Sequence, residues 1–105
     1  MSTKKNKDAL GLLETISGRR LTLGSAIWSI RTSDEFSQVE FAEKLGVSKQ
    51  YLCDLEHDRK SVSLKQAVKF AELLGHPVIT FVQLAIQDQL NNERIKLKVN
   101  LQEVA

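Results

Sequence analysis

The sequence predicts an all-α fold of five helices followed by a short C-terminal β-strand. Apolar residues recur at helical spacing, serines and glycines stand where helices would begin and end, and the last apolar stretch alternates strictly. At 105 residues the chain has room for one compact core and too little for a second. We therefore expect a basic flexible leader over residues 1–20, one domain over residues 21–90, and a strand within residues 91–105.

Apolar stripes predict the first, fourth and fifth helices. They cover about residues 22–32, residues 63–75 including the caps, and about residues 79–90. The core-facing residues are Leu23, Ile27 and Ile30, then Leu64, Ala67, Val68, Ala71 and Leu74, then Phe81, Leu84 and Ala85. Trp28 falls beside the first stripe, so it should lie at the edge of the core or contact a partner.

Between these stripes, residues 37–56 predict two short helices joined by a tight turn. Ser37 and Ser48 each supply a hydroxyl that can accept a backbone N–H of a first helical turn, and Glu40 completes a Ser-x-x-Glu capping box. Gly46 stands where the first helix ends, in a left-handed conformation that a residue without Cβ adopts freely. Two helices hinged in this way form a helix-turn-helix, which can place its second helix in a DNA major groove.

The polar face of that second helix carries the residues expected to read DNA. They are Lys49, Gln50, Tyr51 and Asp54. On spacing alone Lys49 and Gln50 would pass as ordinary surface residues. Tyr51 could pack against a thymine methyl group or cover the helix junction. Asp54 could accept a hydrogen bond from cytosine, or it could only hold a neighbouring cation in position. Lys49 is the sole candidate for that cation on the same helix.

Phosphate contacts are expected beside this helix. Arg59 and Lys60 lie in the basic turn that follows it, and Ser48 begins it. For Lys60 an ordinary solvated loop is the competing interpretation.

The C-terminus has strand periodicity. Apolar and polar residues alternate without a miss, and the apolar positions are Ile95, Leu97, Val99 and Leu101. A solitary strand cannot satisfy its own backbone groups, so this one is expected to pair. Three partners are open: residues 19–23, a second copy across a two-fold axis, or a sheet edge of another protein.

Charge and cysteine content limit the function classes. The net charge is only +2, so attraction to DNA must come from the local placement of cations. Cys53, His57 and His76 form neither a zinc-finger spacing nor a nucleophile with its base, so we expect no metal, no cofactor and no enzyme activity. No signal peptide or membrane-spanning segment is visible, so the expected location is the cytoplasm, on the nucleoid when DNA is bound.

Three motifs follow one another in the middle of the chain: Ser-Gln-x-x-(Phe/Leu)-Ala, Leu-Gly-Val-Ser and Leu-x-x-Leu-Glu, then a basic turn. With them, residues 23–84 resemble the Xre family of phage repressor and Cro-like DNA-binding domains. The resemblance implies a repressor-like fold, a phosphate contact from Gln38, a groove-facing set at the four polar positions named above, and an ion pair between Arg31 and Glu56. Asp58 stands where the family commonly has glycine, and aspartate tolerates the left-handed backbone.

Further stretches extend the likeness: Leu-Thr-Leu-Gly at 21–24, Tyr-Leu-Cys-Asp-Leu-Glu at 51–56, Phe-Val-Gln-Leu-Ala-Ile-Gln-Asp-Gln-Leu at 81–90 and Lys-Leu-Lys-Val at 96–99. This layout resembles HigA-type antitoxins, which bind their own promoter and neutralise a RelE- or HigB-like toxin nuclease. The resemblance implies an autoregulatory repressor with a toxin partner. A stand-alone or phage-type Xre regulator would share the central motif and is the alternative.

The size of the motif also predicts a homodimer. One short recognition helix reads only a few base pairs, so a two-fold dimer on a palindromic double-stranded DNA operator is expected, with half-sites about 34 Å apart. RNA binding is disfavoured because the aromatic residues mostly fall on core stripes.

Overall fold

The computed structural model describes residues 21–104, and the predicted leader, with a helical turn expected near residues 9–13, lies outside the described residues. The described chain forms five helices, which confirms the predicted all-α fold. They are α1 (Leu23–Ser33), α2 (Gln38–Leu45), α3 (Lys49–Glu56), α4 (Leu64–Leu74) and α5 (Val78–Asn92). None of these helices is long and apolar enough to cross a membrane.

Helices α1 to α4 begin at hydroxyl caps. The capping residues are Thr22, Ser37, Ser48 and Ser63, and each side-chain oxygen accepts the backbone N–H three residues later. Helices α2 and α4 end at glycines in the left-handed region, with φ of 74° at Gly46 and 70° at Gly75. The bounds follow from these signals, and the predicted ends differ from the observed ones by about two residues at most, as expected for helix termini.

The core lies where all five helices meet. Phe41, Phe70 and Phe81 are fully buried, and Leu23 and Ile27 of α1 pack among them. Helix α5 packs against α4 and α1, so α2 and α3 are left with one side facing outward. Trp28 is 43% exposed on α1, at the margin of this core.

A close approach of α1 to α3 depends on Gly24. A Cβ atom built at Gly24 would lie 2.0 Å from the carbonyl oxygen of Leu55 and 2.7 Å from the Asp58 carboxylate. Any other residue would therefore push α1 away from the end of α3. The sequence analysis did not identify this glycine, because helical patterns treat an interior glycine only as a weak helix former.

Residues 95–104 form no strand within the single described chain, so the expected C-terminal strand is absent from it, and pairing with a second copy or with another protein stays a prediction. Pairing with the start of α1 does not occur at Leu23, whose N–H donates to Asp88 Oδ2 at 3.0 Å. Side chains of α5 replace the missing strand: Gln87 donates to the carbonyl of Leu97 at 2.9 Å and accepts from the N–H of Val99 at 2.8 Å. Amide side chains can therefore satisfy one edge of the segment without a sheet.

Candidate nucleic-acid interface

The outward surface of the helix-turn-helix is formed by α3, whose apolar side is anchored in the core. Leu52 and Leu55 are buried, and Val47 is half-buried in the turn between the two helices. The opposite side of α3 presents Lys49 and Gln50, both exposed to solvent. The tight turn at Gly46 thus places α3 with its apolar side in the core and its polar side in solvent.

A buried carboxylate fixes the end of α3. Glu56 is 4% exposed, and its Oε2 accepts from Arg31 Nε at 2.6 Å while its Oε1 accepts from Arg31 Nη2 at 3.1 Å. Arg31 also donates to the carbonyl of Phe36 at 3.0 Å. Gln38 donates its side-chain amide to the same carboxylate at 3.0 Å, so Gln38 is half-buried and held by the protein. One carboxylate therefore connects α1, α2 and α3.

Asp54 is the centre of a second polar cluster, on the exposed side of α3. Its Oδ1 accepts from Arg59 Nε at 3.0 Å and from Gln50 Nε2 at 3.1 Å. The cation beside Asp54 is therefore Arg59, whereas the sequence offered Lys49 for this role. The hydrogen bond from Arg59 holds the pKa of the Asp54 carboxyl below its ordinary value, and that from Gln50 adds to it against the opposing effect of burial.

Tyr51 and Ser48 have partners within the motif. Tyr51 is half-buried and packs against the core cluster. Ser48 is exposed, and its hydroxyl oxygen accepts from the N–H of Tyr51 at 3.0 Å. As a capping acceptor this hydroxyl keeps its own hydrogen, which remains a donor for a phosphate oxygen.

The turn after α3 carries the remaining basic residues. Asp58 adopts a left-handed backbone with φ of 60°, and its carboxylate accepts from the Thr22 hydroxyl at 2.7 Å. That bond ties the turn to the start of α1. Arg59 and Lys60 are exposed beside α3, and the charge of Lys60 also lowers the pKa of Asp54. Both cations are thus placed along the margin of the surface that α3 presents.

The thiol of Cys53 lies on the same helix, half-buried next to Arg59 and His57. Its Sγ is 3.5 Å from Arg59 Nη2 and 3.7 Å from His57 Nδ1. Within residues 21–104, no cluster of histidine, cysteine and acidic side chains is arranged to hold a metal ion. The polar groups around α3 are the amide of Gln50, the carboxylate of Asp54 and the cations Lys49, Arg59 and Lys60.

Known proteins share this arrangement. The chain matches the family model described as helix-turn-helix over residues 29–78. Over 62 residues it is 39% identical to the immunity repressor protein of Bacillus phage phi105, a stretch that covers 59% of this chain and 43% of that repressor. The chain therefore spans less than half the length of that relative.

Two solved structures show the same fold. One is the clp gene regulator ClgR from Corynebacterium glutamicum, with a TM-score of 0.51 and 34% identity, covering 62% of this chain and 84% of that one. The other is the hypothetical transcription factor NHTF from Neisseria, with a TM-score of 0.51 and 25% identity, covering 69% and 80%. With these likenesses and the geometry of α2 and α3, the chain belongs to the Xre-like helix-turn-helix family of DNA-binding proteins.

Proposed function

We propose that the protein is a sequence-specific transcriptional repressor that binds a palindromic double-stranded DNA operator as a homodimer. The observation that carries the proposal is the exposed polar side of α3, with Lys49 and Gln50 outward and Arg59 and Lys60 at its margin. An α-helix fits the major groove, and cations beside it meet the phosphate strands. A dimer that occupies its operator excludes RNA polymerase sterically.

Four polar residues of α3 contact the bases: Lys49, Gln50, Tyr51 and Asp54. Gln50 can pair with an adenine edge through both its amide groups, and Lys49 can reach the acceptors of guanine. In the free protein the amide of Gln50 is held by Asp54, which orients it along the exposed side of α3. Tyr51 and Asp54 complete the set, with Asp54 also keeping Arg59 in place.

Phosphate contacts set the register of the helix on the duplex. Gln38 and Ser48 stand at the first turns of α2 and α3, where backbone N–H groups already favour anions. Gln38 keeps a second amide hydrogen beyond the one given to Glu56. Arg59 and Lys60 supply positive charge beside the phosphates. Local cations are needed because the net charge of the protein is only +2.

Selection from random double-stranded DNA tests this function. The purified chain should enrich a palindrome with half-sites about 34 Å apart. Gln50→Ala should lose about 1 to 3 kcal/mol at one base position per half-site, whereas Lys60→Ala should weaken all sequences alike. A uniform loss from both variants would refute the assigned roles, and enrichment of no sequence would refute the function.

A finer function is that of an autoregulatory antitoxin. The likeness to HigA-type antitoxins at 21–24, 51–56, 81–90 and 96–99 supports it, because it reaches beyond the helix-turn-helix into α5 and the C-terminal segment. The partner would be a RelE- or HigB-like toxin nuclease. Co-expression of the tagged chain with the product of its neighbouring gene tests this, since an antitoxin retains a small basic partner in stoichiometric amount.

The phage repressor at 39% identity favours the alternative of a stand-alone regulator. In that case the co-expressed chain would purify without the neighbouring product and would still bind its own promoter fragment.

A further inference from the structure

We propose that residues 97–101 form an intermolecular two-stranded antiparallel ribbon with a second copy of this chain, centred on Val99. The inference deepens the homodimer of the proposed function and rests on it. Its basis is a segment whose one backbone edge is already bound by glutamines of α5 and whose other edge has no partner in the described chain.

The inner edge of the segment is held at three alternate positions. Gln87 binds the carbonyl of Leu97 and the N–H of Val99, and Gln83 Oε1 accepts from the N–H of Leu101 at 3.2 Å. In extended backbone, residues two apart direct these groups to the same side. The chain from Leu97 to Leu101 thus lies along α5 with one edge turned toward the helix.

The outer edge is consequently formed by the intervening residues, Lys98 and Asn100. Within residues 21–104, no hydrogen bond reaches the backbone N–H or carbonyl of either one. Both residues are exposed in the monomer. An ordered row of unpaired backbone groups is a template for a further strand. Since the glutamines have already fixed the segment, less conformational entropy is lost when that strand is added.

The side chains favour a second copy as that strand. A two-fold axis at Val99 sets Lys98 of one copy opposite Asn100 of the other, in hydrogen-bonded pairs formed by the outer edges. On the other face Val99 meets its own copy and Leu97 meets Leu101. Leu97 is 64% exposed in the monomer, and this pairing covers it with an apolar neighbour.

Other axes fit the side chains less well. An axis at Lys98 sets two lysines directly opposite each other, which is unfavourable for like charges. An axis at Asn100 sets the exposed Leu97 opposite Glu103. The bend before Leu97, whose N–H donates to the carbonyl of Ile95 at 3.0 Å, limits the ribbon at its start.

Sedimentation equilibrium of the full-length chain tests the ribbon. The wild-type chain should sediment at twice the 11.8 kDa of one copy. Lys98→Pro removes the outward N–H and leaves the inner edge intact, whereas the matched control Lys98→Ala keeps the backbone donor. Because two bonds are lost per dimer, the dissociation constant of Lys98→Pro should rise by about 30-fold, and that of Lys98→Ala should stay near wild type.

Crosslinking tests the register. In a Cys53→Ala background, Val99→Cys should form a disulfide-linked dimer under mild oxidation, because the two positions face each other across the axis. Lys98→Cys should not, because it lies diagonal to its copy. A monomeric wild-type chain, a Lys98→Pro variant that dimerises like Lys98→Ala, or a crosslink at Lys98→Cys in place of Val99→Cys would each overturn the proposal.

These outcomes separate the ribbon from the proposed function. A chain that crosslinks at position 99 and selects no DNA sequence would keep the ribbon and refute the repressor. A chain that selects a palindrome while Lys98→Pro remains dimeric would keep the repressor and refute the ribbon, since the dimer would then use another surface or the segment would serve another protein.

Discussion

Arg31 Nε lies 2.6 Å from Glu56 Oε2, and this contact joins α1 to the last residue of α3, the recognition helix. The side chains of Arg31 and Glu56 are 13% and 1% exposed, so both charges are largely removed from water. The hydrogen bonds between them must offset the free energy of this desolvation. The Glu56 carboxylate also accepts from Gln38. One carboxylate therefore links α3 to both α1 and α2, in addition to the packing of Leu52 and Leu55 in the core.

Glu56→Ala should lower the free energy of unfolding by about 3 to 5 kcal/mol, because it leaves the Arg31 guanidinium partly buried without its anion. Urea denaturation measures the change. The control is Glu72→Ala, at an exposed position of α4, which should change the free energy by less than about 0.5 kcal/mol. Equal losses in the two variants would show that the ion pair does not hold the helices together.

Gly24→Ala should destabilise the protein by about 3 kcal/mol, although alanine is the better helix former by about 1 kcal/mol. The reason is the Leu55 carbonyl oxygen, which a Cβ would approach to 2.0 Å, so α1 must shift. Gly46→Ala is the matched comparison. Its Cβ meets no atom within 4 Å, and the left-handed backbone should cost about 1 to 2 kcal/mol. Thermal unfolding that ranks Gly46→Ala as the worse variant would contradict the role of Gly24.

Asp54→Asn should reduce discrimination between DNA sequences and strengthen non-specific binding. The substitution removes a negative charge from the surface of α3, and this charge offsets that of Arg59 where Arg59 meets a phosphate. The slope of log affinity against log salt should steepen by about 0.9 as a result. Because Arg59 holds the pKa of Asp54 below its ordinary value, the carboxyl is ionised at neutral pH, and the effect should be the same at pH 6 and pH 8. An unchanged slope would contradict this offset of the Arg59 charge by Asp54.

The helices and their ends could be predicted from local sequence signals. Hydroxyl caps at Ser37, Ser48 and Ser63 and glycines at Gly46 and Gly75 act within one turn, so they can be found without knowing the fold. Most buried residues follow in the same way from helical spacing, but Leu64, expected in the core stripe of α4, is 46% exposed, and the fully buried Phe70 was not expected there. Local physics therefore predicts the five helices and the outward side of α3.

Contacts that depend on how the chain folds back cannot be predicted from local sequence signals. The partner of Asp54 is Arg59, which lies beyond the end of the helix and meets it only because the turn folds back. Gly24 matters because of Leu55, and the alternating C-terminus forms no strand within one chain, where Gln83 and Gln87 bind its backbone. In each case the deciding group lies at a separation that no periodicity reports.

His76 should make the protein less stable in mild acid. Partial burial lowers the pKa of its imidazole, although the charge of Asp34 opposes this, and the ring stacks on Phe81 with centroids 5.9 Å apart. The unfolded chain then takes up the proton more readily than the folded one. Stability from the neutral ring is complete above the unfolded pKa of about 6.5 and is lost as the pH falls through the lower folded value.

Urea denaturation at pH 7.5 and pH 5.5 measures this dependence. His76→Asn should reduce the difference in unfolding free energy between the two pH values, whereas His57→Asn retains His76 and should keep it. A difference that is the same in His76→Asn and wild type would assign the acid sensitivity to other groups.

Gln87→Leu should release the C-terminal segment from α5, because the variant can neither donate to the Leu97 carbonyl nor accept from the Val99 N–H. Gln87→Glu keeps the acceptor for Val99 and loses only the donor, so it separates the two bonds. Amide hydrogen exchange at Val99 is the measurement, made at a concentration low enough to keep the chain monomeric. Protection of the Val99 amide should fall to that of an unfolded chain in Gln87→Leu and persist in Gln87→Glu. Equal protection in both variants would show that the segment is held by its apolar side chains instead.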